Sequence, residues 1–279
     1  MLSGFTLIKA ALLSAAFLFV ATGCAAPESF GGSRASAVDW ASARGFEAGE
    51  LAAGPFHLLA LMRRSARGSG TLSVYIEGDG APWMTAWHPP RDPTPLKPIA
   101  LAMAAADTAV AVVYLGRPCQ YLAAVELATC DPTWWMERRF APEVLMAYDE
   151  ALAQLKVTHG AQRLRLVGYS GGGVIAALLA ARRSDVERLV TVAAPLALNE
   201  WVAWHDLTPF AGSSDPYLEP GYLPSGVHWV GEKDKIVPPG IIENFVRKKG
   251  GRIFVMPGYD HECCWARDWA SLIAKESME

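Results

Sequence analysis

The sequence carries little net charge. Its 25 Lys and Arg against 28 Asp and Glu leave a formal −3 over 279 residues, and no run of like charges stands out. That balance excludes the basic footprint of a nucleic-acid binder and the cationic face that seeks an anionic membrane. There is no internal repeat and no long low-complexity tract. Charged residues make up only 19% and hydrophobic residues 52%, which suits a packed globular chain rather than a disordered one. Cysteine is sparse, five in all. His261 with Cys263 and Cys264 finds no second Cys/His cluster at ligand spacing, so a metal is not expected. The chemistry read below calls for no organic cofactor either. One apolar run stands out, residues 7–20, and it falls short of the about 20 residues a membrane-spanning helix needs.

That run has the character of the apolar region of a secretory signal peptide. It leads into Val20-Ala21-Thr22-Gly23-Cys24. Small residues running into Cys resemble a bacterial lipobox, whose Cys thiol takes a diacylglyceryl group and becomes the mature N-terminus. The resemblance implies a signal peptide over 1–23 and a lipid on Cys24. Ala25 and Ala26 follow, not Asp, which resembles the sorting pattern of lipoproteins kept at the outer membrane, facing the periplasm. A soluble periplasmic or secreted protein, or an uncleaved anchor, is the alternative. Residues 24–50, rich in Ala, Gly and Ser, read as a tether. Export exposes the other four cysteines to an oxidising compartment. Cys119 and Cys130 bracket one short loop and are the expected disulfide. Cys263 and Cys264 are neighbours, for which a bridge is geometrically demanding, and they read as two small buried residues at a helix start.

Residues 51–279 are expected to form one domain. Apolar strands are read at 56–62, 71–76, 109–115, 164–167, 186–192, 227–230 and 252–256. Helices are read at 96–106, 142–156, 171–183, 239–248 and 264–275. This alternation predicts an α/β fold, a mainly parallel sheet covered by helices on both faces. Right-handed crossovers gather the loops that follow the strands along one edge, where ligands bind in such sheets. Two segments break the rhythm, 116–139 and 196–225, and are expected to overhang that edge as small lid-like insertions.

The sharpest motif is Gly168-Tyr169-Ser170-Gly171-Gly172, a G-x-S-x-G between a strand and an apolar helix. A serine on so tight a turn needs small flanking residues. Its hydroxyl is a poor nucleophile at neutral pH, so it needs a base, and the base needs an orienting acid. Of the six histidines, His261 falls in the loop between the last strand and the last helix. His57 and His159 sit at the wrong edge, His228 lies within a strand, and His88 and His205 lie in loops where they could touch substrate. Asp234 stands at the C-terminal end of the strand near residue 230 and is the expected acid, ahead of Glu232 and Asp260. Tryptophans crowd the overhanging segments. Trp83, Trp87, Trp201 and Trp204, with Tyr169, are candidates to line a cleft, and Trp134 and Trp135 join them in the overhang. Packed anchors of small lids are the equal alternative.

The chain order Ser170, Asp234, His261, in these contexts, resembles the α/β-hydrolase superfamily over residues 55–275. Ile76-Glu77-Gly78-Asp79-Gly80 and Gly116-Arg117-Pro118-Cys119-Gln120-Tyr121 further resemble a group of bacterial α/β-hydrolase lipoproteins. The resemblance implies an oxyanion hole from two backbone N–H groups, one from Gly171, the other from Asp79 or, second, Gly80. Glu77-Gly78 stands where the superfamily usually has His-Gly, and an inward Asp79 carboxylate would oppose catalysis. It is therefore expected to point away or to meet a cationic part of the substrate. The implied activity is acyl transfer to water in the cell envelope, on a small-molecule ester or an envelope-derived acyl substrate. A peptidase or amidase on the same residues, and a binding protein that kept the fold without the activity, are the alternatives.

Overall fold

The computed structural model describes residues 30–63, 70–81, 90–220, 223–224 and 226–278. The expected signal peptide and Cys24, with Trp83, Trp87 and His88, lie outside the described residues. Among the described residues the strands are β1 (Phe46–Ala53), β2 (Phe56–Arg63), β3 (Thr71–Ile76), β4 (Val112–Leu115), β5 (Arg163–Tyr169), β6 (Val186–Val192), β7 (Gly226–Gly231) and β8 (Arg252–Met256). The helices are α1 (Arg34–Ser42), α2 (Ile99–Ala106), α3 (Ala124–Leu127), α4 (Pro142–His159), α5 (Gly171–Ala180), α6 (Leu198–Trp204), α7 (Pro239–Lys249) and α8 (Trp265–Met278).

All the strands join one sheet in the order β1-β2-β4-β3-β5-β6-β7-β8. β1 pairs antiparallel with β2, and β2 with β4; from β4 to β8 every pairing is parallel. The parallel half carries the near-continuous apolar runs that double burial requires. In β3, Leu72, Val74 and Ile76 face the core shared with Tyr148, Leu152, Ile175 and Phe245 from α4, α5 and α7. Tyr75 faces the opposite core, with Leu101, Trp265 and Trp269 from α2 and α8. Alternate residues thus serve the two faces.

α4 shows how local chemistry sets an element's ends. Pro142 opens it, Glu143 lies in its first turn, and Gly160 closes it in the left-handed region at φ 63°. Several boundaries move from those read in the sequence. The second helix begins at Ile99, after Pro98, rather than at 96, and its following strand begins at Val112 rather than at 109.

The expected tether over 24–50 is corrected more substantially. Residues 34–42 form α1, capped by the Ser33 hydroxyl accepting from the Ser36 N–H, and residues 46–53 form β1. Ala37 and Ala41, one helical turn apart, are fully buried against the sheet. Small side chains that look like linker composition here allow a helix to approach closely.

Candidate active site

Ser170 is the single residue between β5 and α5. Its backbone sits at φ 49°, ψ −124°, a sparsely populated conformation for a residue with a side chain. The surroundings hold it there: the Ser170 N–H donates to Val192 O at 2.8 Å, and its carbonyl accepts from Gly173 at 2.9 Å. The flanking glycines are required by close approach. A Cβ on Gly168 would lie 2.4 Å from the Gly172 carbonyl oxygen, and one on Gly172 would lie 2.2 Å from the Ile76 carbonyl oxygen. The turn therefore packs directly on the end of β3.

Asp234 lies in the loop between β7 and α7, with its side chain fully buried. Its Oδ1 accepts the N–H groups of Ile236 and Val237, both at 2.8 Å. That fixes the carboxylate and leaves Oδ2 aimed at His261 Nδ1, 2.9 Å away. His261 Nε2 is 3.1 Å from Ser170 Oγ. Since a carboxylate only accepts, Nδ1 carries the proton and Nε2 presents its lone pair to the serine hydroxyl. The His261 carbonyl is held in turn by the Tyr169 hydroxyl at 3.1 Å and the Trp265 indole N–H at 2.9 Å. The structure thus brings together all three residues singled out for nucleophile, base and acid.

The other described histidines lie elsewhere. His228 is buried in β7 with Nδ1 2.8 Å from the Thr191 hydroxyl, and burial pushes its pKa down to about 4. His205 Nε2 is 2.8 Å from the Ile236 carbonyl oxygen, and exposed His57 pairs with Glu50.

The loop after β3 lies against the nucleophile. A Cβ on Gly78 would be 3.3 Å from that of Ser170. Glu77 is buried below it, with Oε1 accepting the N–H of Gly78 at 2.9 Å and of Ala100 in α2 at 3.3 Å. Burial pushes the Glu77 pKa up to about 7, against the lowering effect of these backbone donors. Gly80, at φ 95°, is packed on Pro93, whose carbonyl oxygen would be 1.7 Å from a Cβ there. Of the two candidates for the second oxyanion donor, Asp79 is therefore the one beside the serine turn. Among the described residues no acceptor meets the N–H of Asp79 or of Gly171.

The Asp79 side chain is held by two arginines. Its Oδ1 is 3.0 Å from Arg117 Nη1 and its Oδ2 is 2.7 Å from Arg139 Nη1. Burial alone would raise its pKa, but Arg139 and Arg117 together outweigh it and hold the carboxyl below its ordinary value. Both arginines come from the segment 116–139. Sequence reasoning missed their role. The signal was there in part: an acidic residue beside an oxyanion site calls for neutralising charge.

Several candidate lining residues change role. Tyr169 is buried beneath the His261 loop and supports it, because a strand residue next to the turn faces the core. Trp201 is a packing anchor: its indole N–H donates to the Ile236 carbonyl at 2.6 Å and its ring meets His205 and Phe210. Trp134 sits edge-on to Phe56, and the Trp135 indole donates to Pro90 O at 3.0 Å. Trp204 at the end of α6 is 65% exposed. Cys119 and Cys130 form the expected disulfide. Cys263 and Cys264 are also bonded to each other, and Cys263 is exposed, which corrects the reading of two buried thiols. They lie in the surface loop ahead of α8, not inside it.

A model of the alpha/beta hydrolase fold matches residues 136–230. A comparison with curated proteins gave no match. Among solved structures, the chain resembles an alpha-beta serine hydrolase homologue from Coxiella burnetii, at 14% identity and TM-score 0.57, covering 82% of this chain and 96% of that one. It resembles a puromycin-hydrolyzing peptidase of Mycobacterium tuberculosis at 14% identity and TM-score 0.54, covering 83% of this chain and 38% of that one. It also resembles a membrane phospholipase A described as a bacterial virulence factor, at 18% identity and TM-score 0.55, covering 88% and 89%. With its strand order and the serine turn after β5, this is an α/β-hydrolase-fold protein.

Proposed function

We propose that this chain is a serine hydrolase that cleaves carboxylic esters through an acyl-enzyme. The observation that carries the reading is the unbroken hydrogen-bonded chain from Asp234 through His261 to Ser170, at 2.9 and 3.1 Å. Ser170 Oγ attacks the substrate carbonyl carbon while His261 Nε2 takes its proton. Asp234 holds the imidazole in the required tautomer and stabilises the imidazolium. The N–H groups of Gly171 and Asp79 receive the oxyanion. As the tetrahedral adduct collapses, His261 returns the proton to the leaving oxygen. Water then repeats the sequence on the acyl-enzyme and frees the acid. Work in the envelope, with the enzyme held through a lipid on Cys24, belongs to the same proposal and is supported by the lipobox-like sequence alone.

The test is fluorophosphonate labelling of the mature protein beside folded Ser170→Ala and His261→Ala variants. Labelling that both substitutions abolish is the expected result. A folded wild type that never labels would overturn the hydrolase reading in favour of a binding role. A panel of p-nitrophenyl esters against aminoacyl p-nitroanilides then tests the substrate class. Cleavage of amides with no ester turnover would replace the esterase by a peptidase, the activity named for the mycobacterial structure. Mass spectrometry of the mature N-terminus tests the lipid on Cys24, and an unmodified N-terminus would remove it.

A further inference from the structure

An aspartate in the loop that must welcome an oxyanion is a conflict. The Asp79 carboxylate lies against Gly171, since a Cβ on Gly171 would fall 2.0 Å from Asp79 Oδ1 and 3.0 Å from Arg117 Nη1. A negative charge there opposes the charge that develops on the attacked oxygen. We propose that Arg117 and Arg139 are positioning residues that resolve this conflict: through the Asp79 carboxylate they fix the Asp79 N–H toward the reacting carbonyl and reverse the sign of the local charge. This rests on the serine hydrolase reading and extends it.

The cluster is built to stay in place. The Arg117 and Arg139 side chains are only 4% and 8% exposed, against 32% for Asp79. Arg117 Nη2 donates to the Arg139 carbonyl at 2.9 Å, and Arg139 Nε donates to Met136 O at 2.5 Å. Each guanidinium also lies over a ring, Arg117 over Phe140 at 5.3 Å and Arg139 over Phe210 at 4.4 Å. Arg117 closes a second link: its N–H donates to Gln120 Oε1 at 2.9 Å, and Gln120 Nε2 donates to the Gly78 carbonyl at 3.1 Å.

The loop is therefore clamped on both sides of the proposed donor. Glu77 takes the Gly78 N–H, Gln120 takes the Gly78 carbonyl, and the two arginines take the Asp79 carboxylate. Among the described residues nothing takes the Asp79 N–H, which is left for the substrate. One carboxylate and two guanidiniums sum to a single positive charge beside Gly171, the sign an oxyanion needs. The superfamily's more usual His-Gly needs no such neutralisation. Glu77-Gly78-Asp79 does.

The test uses the mature protein, p-nitrophenyl acetate and a fluorophosphonate probe. Arg139→Gln is expected to lower kcat by about 100-fold, the scale of one misplaced oxyanion donor, with KM changed less than about threefold. Labelling should slow in parallel. Arg139→Lys keeps the charge and should recover much of the loss. Asp79→Asn removes the opposing charge but also the carboxylate that the arginines grip, so it should still lower kcat, through misplacement of the N–H, and the double variant should be no worse than the poorer single, because the residues act as one unit. Circular dichroism and melting establish that each variant is folded. Should Arg139→Gln fail to fold, Asp79→Asn and Arg139→Lys carry the comparison. A kcat retained within about threefold in Asp79→Asn or in folded Arg139→Gln, even with a lowered melting temperature, would make the cluster merely structural and overturn the proposal. A loss confined to KM would also overturn it, by making the arginines substrate contacts. An unreactive, folded wild type would instead defeat the hydrolase reading itself.

Discussion

Asp234→Asn is the most incisive change to make at this site, because the structure dictates which way the new amide must face. Oδ1 of Asp234 accepts two N–H groups, from Ile236 and Val237, at 2.8 Å each. Only the carbonyl oxygen of an asparagine can occupy that position without placing donor against donor. The amide nitrogen is thereby turned toward His261 Nδ1, 2.9 Å away, where it donates. Nδ1 must become the acceptor, so the ring proton moves to Nε2 and points at Ser170 Oγ. A histidine in that tautomer cannot take the serine proton. The expected loss in kcat is about 10⁴-fold, equivalent to about 5.4 kcal/mol in the activation barrier. Stability should change by less than about 1 kcal/mol, since both backbone hydrogen bonds survive. Asp234→Ala, by contrast, strips both backbone groups of their acceptor and should cost about 2–4 kcal/mol of stability. The assay is kcat on p-nitrophenyl acetate, with urea unfolding on the same samples. An Asp234→Asn enzyme within tenfold of wild type, folded to the same stability, would refute the tautomer argument.

Glu77 gives a pH prediction. Burial raises its pKa from 4.5 to about 7, so the folded chain holds a proton that the unfolded chain releases first. Its contribution is complete below pH 4.5 and is lost as pH rises to 7, by roughly 3 kcal/mol. Urea unfolding at pH 5 and pH 8 should show that slope in wild type and a correspondingly flatter one in Glu77→Gln; equal slopes would exclude it. Removing the Cys119–Cys130 bridge as a double serine variant frees a loop of sequence separation 11 and should lower unfolding free energy by about 3 kcal/mol, read by chemical denaturation under oxidising conditions. A loss under 1 kcal/mol would mean that the unfolded chain gains little freedom. Tyr169→Phe removes one of the two donors on the His261 carbonyl and, with Trp265 still in place, should cost less than tenfold in kcat. A larger loss would mean that the hydroxyl does more than steady the loop.

The parallel half of the fold was legible because its signals are local. Runs such as 186–192 and 252–256 have the apolar character and the flanking turns that strands need, and both were placed to the residue. The serine, base and acid were legible for the same reason: each follows a strand, and a right-handed parallel sheet brings such loops to one edge. What stayed hidden depends on partners remote in sequence. Ala37 and Ala41 reveal a packed helix only when the sheet beneath them is present. Asp79 meets Arg117 and Arg139 across 38 and 60 residues, and no spacing rule announces that. Tyr169 was expected to line a cleft and instead supports a loop, and Trp201 follows the packed-anchor reading of the two held equal, since an aromatic that anchors a loop and one that lines a cleft look alike until burial is known. The pairing of Cys263 with Cys264 stayed open in the sequence, because adjacency alone does not say whether two neighbouring thiols are bonded.

Ser170, Asp234 and His261 follow three different strands, β5, β7 and β8, and β8 is the last to be joined to the sheet in chain order. His261 is positioned through its backbone carbonyl, which accepts from Tyr169 of β5 and from Trp265 of α8. α8 is itself pinned across the sheet, where the Trp269 indole donates to the Tyr75 hydroxyl in β3 at 2.7 Å. Elements from the first third, the middle and the last tenth of the chain must therefore dock before His261 Nε2 stands 3.1 Å from the Ser170 hydroxyl. A chain stopped before residue 261 has Ser170 without its histidine. On the proposed serine-hydrolase reading, reactivity at Ser170 reports completion of the whole domain, and a covalent probe for it serves as a folding clock for newly made protein.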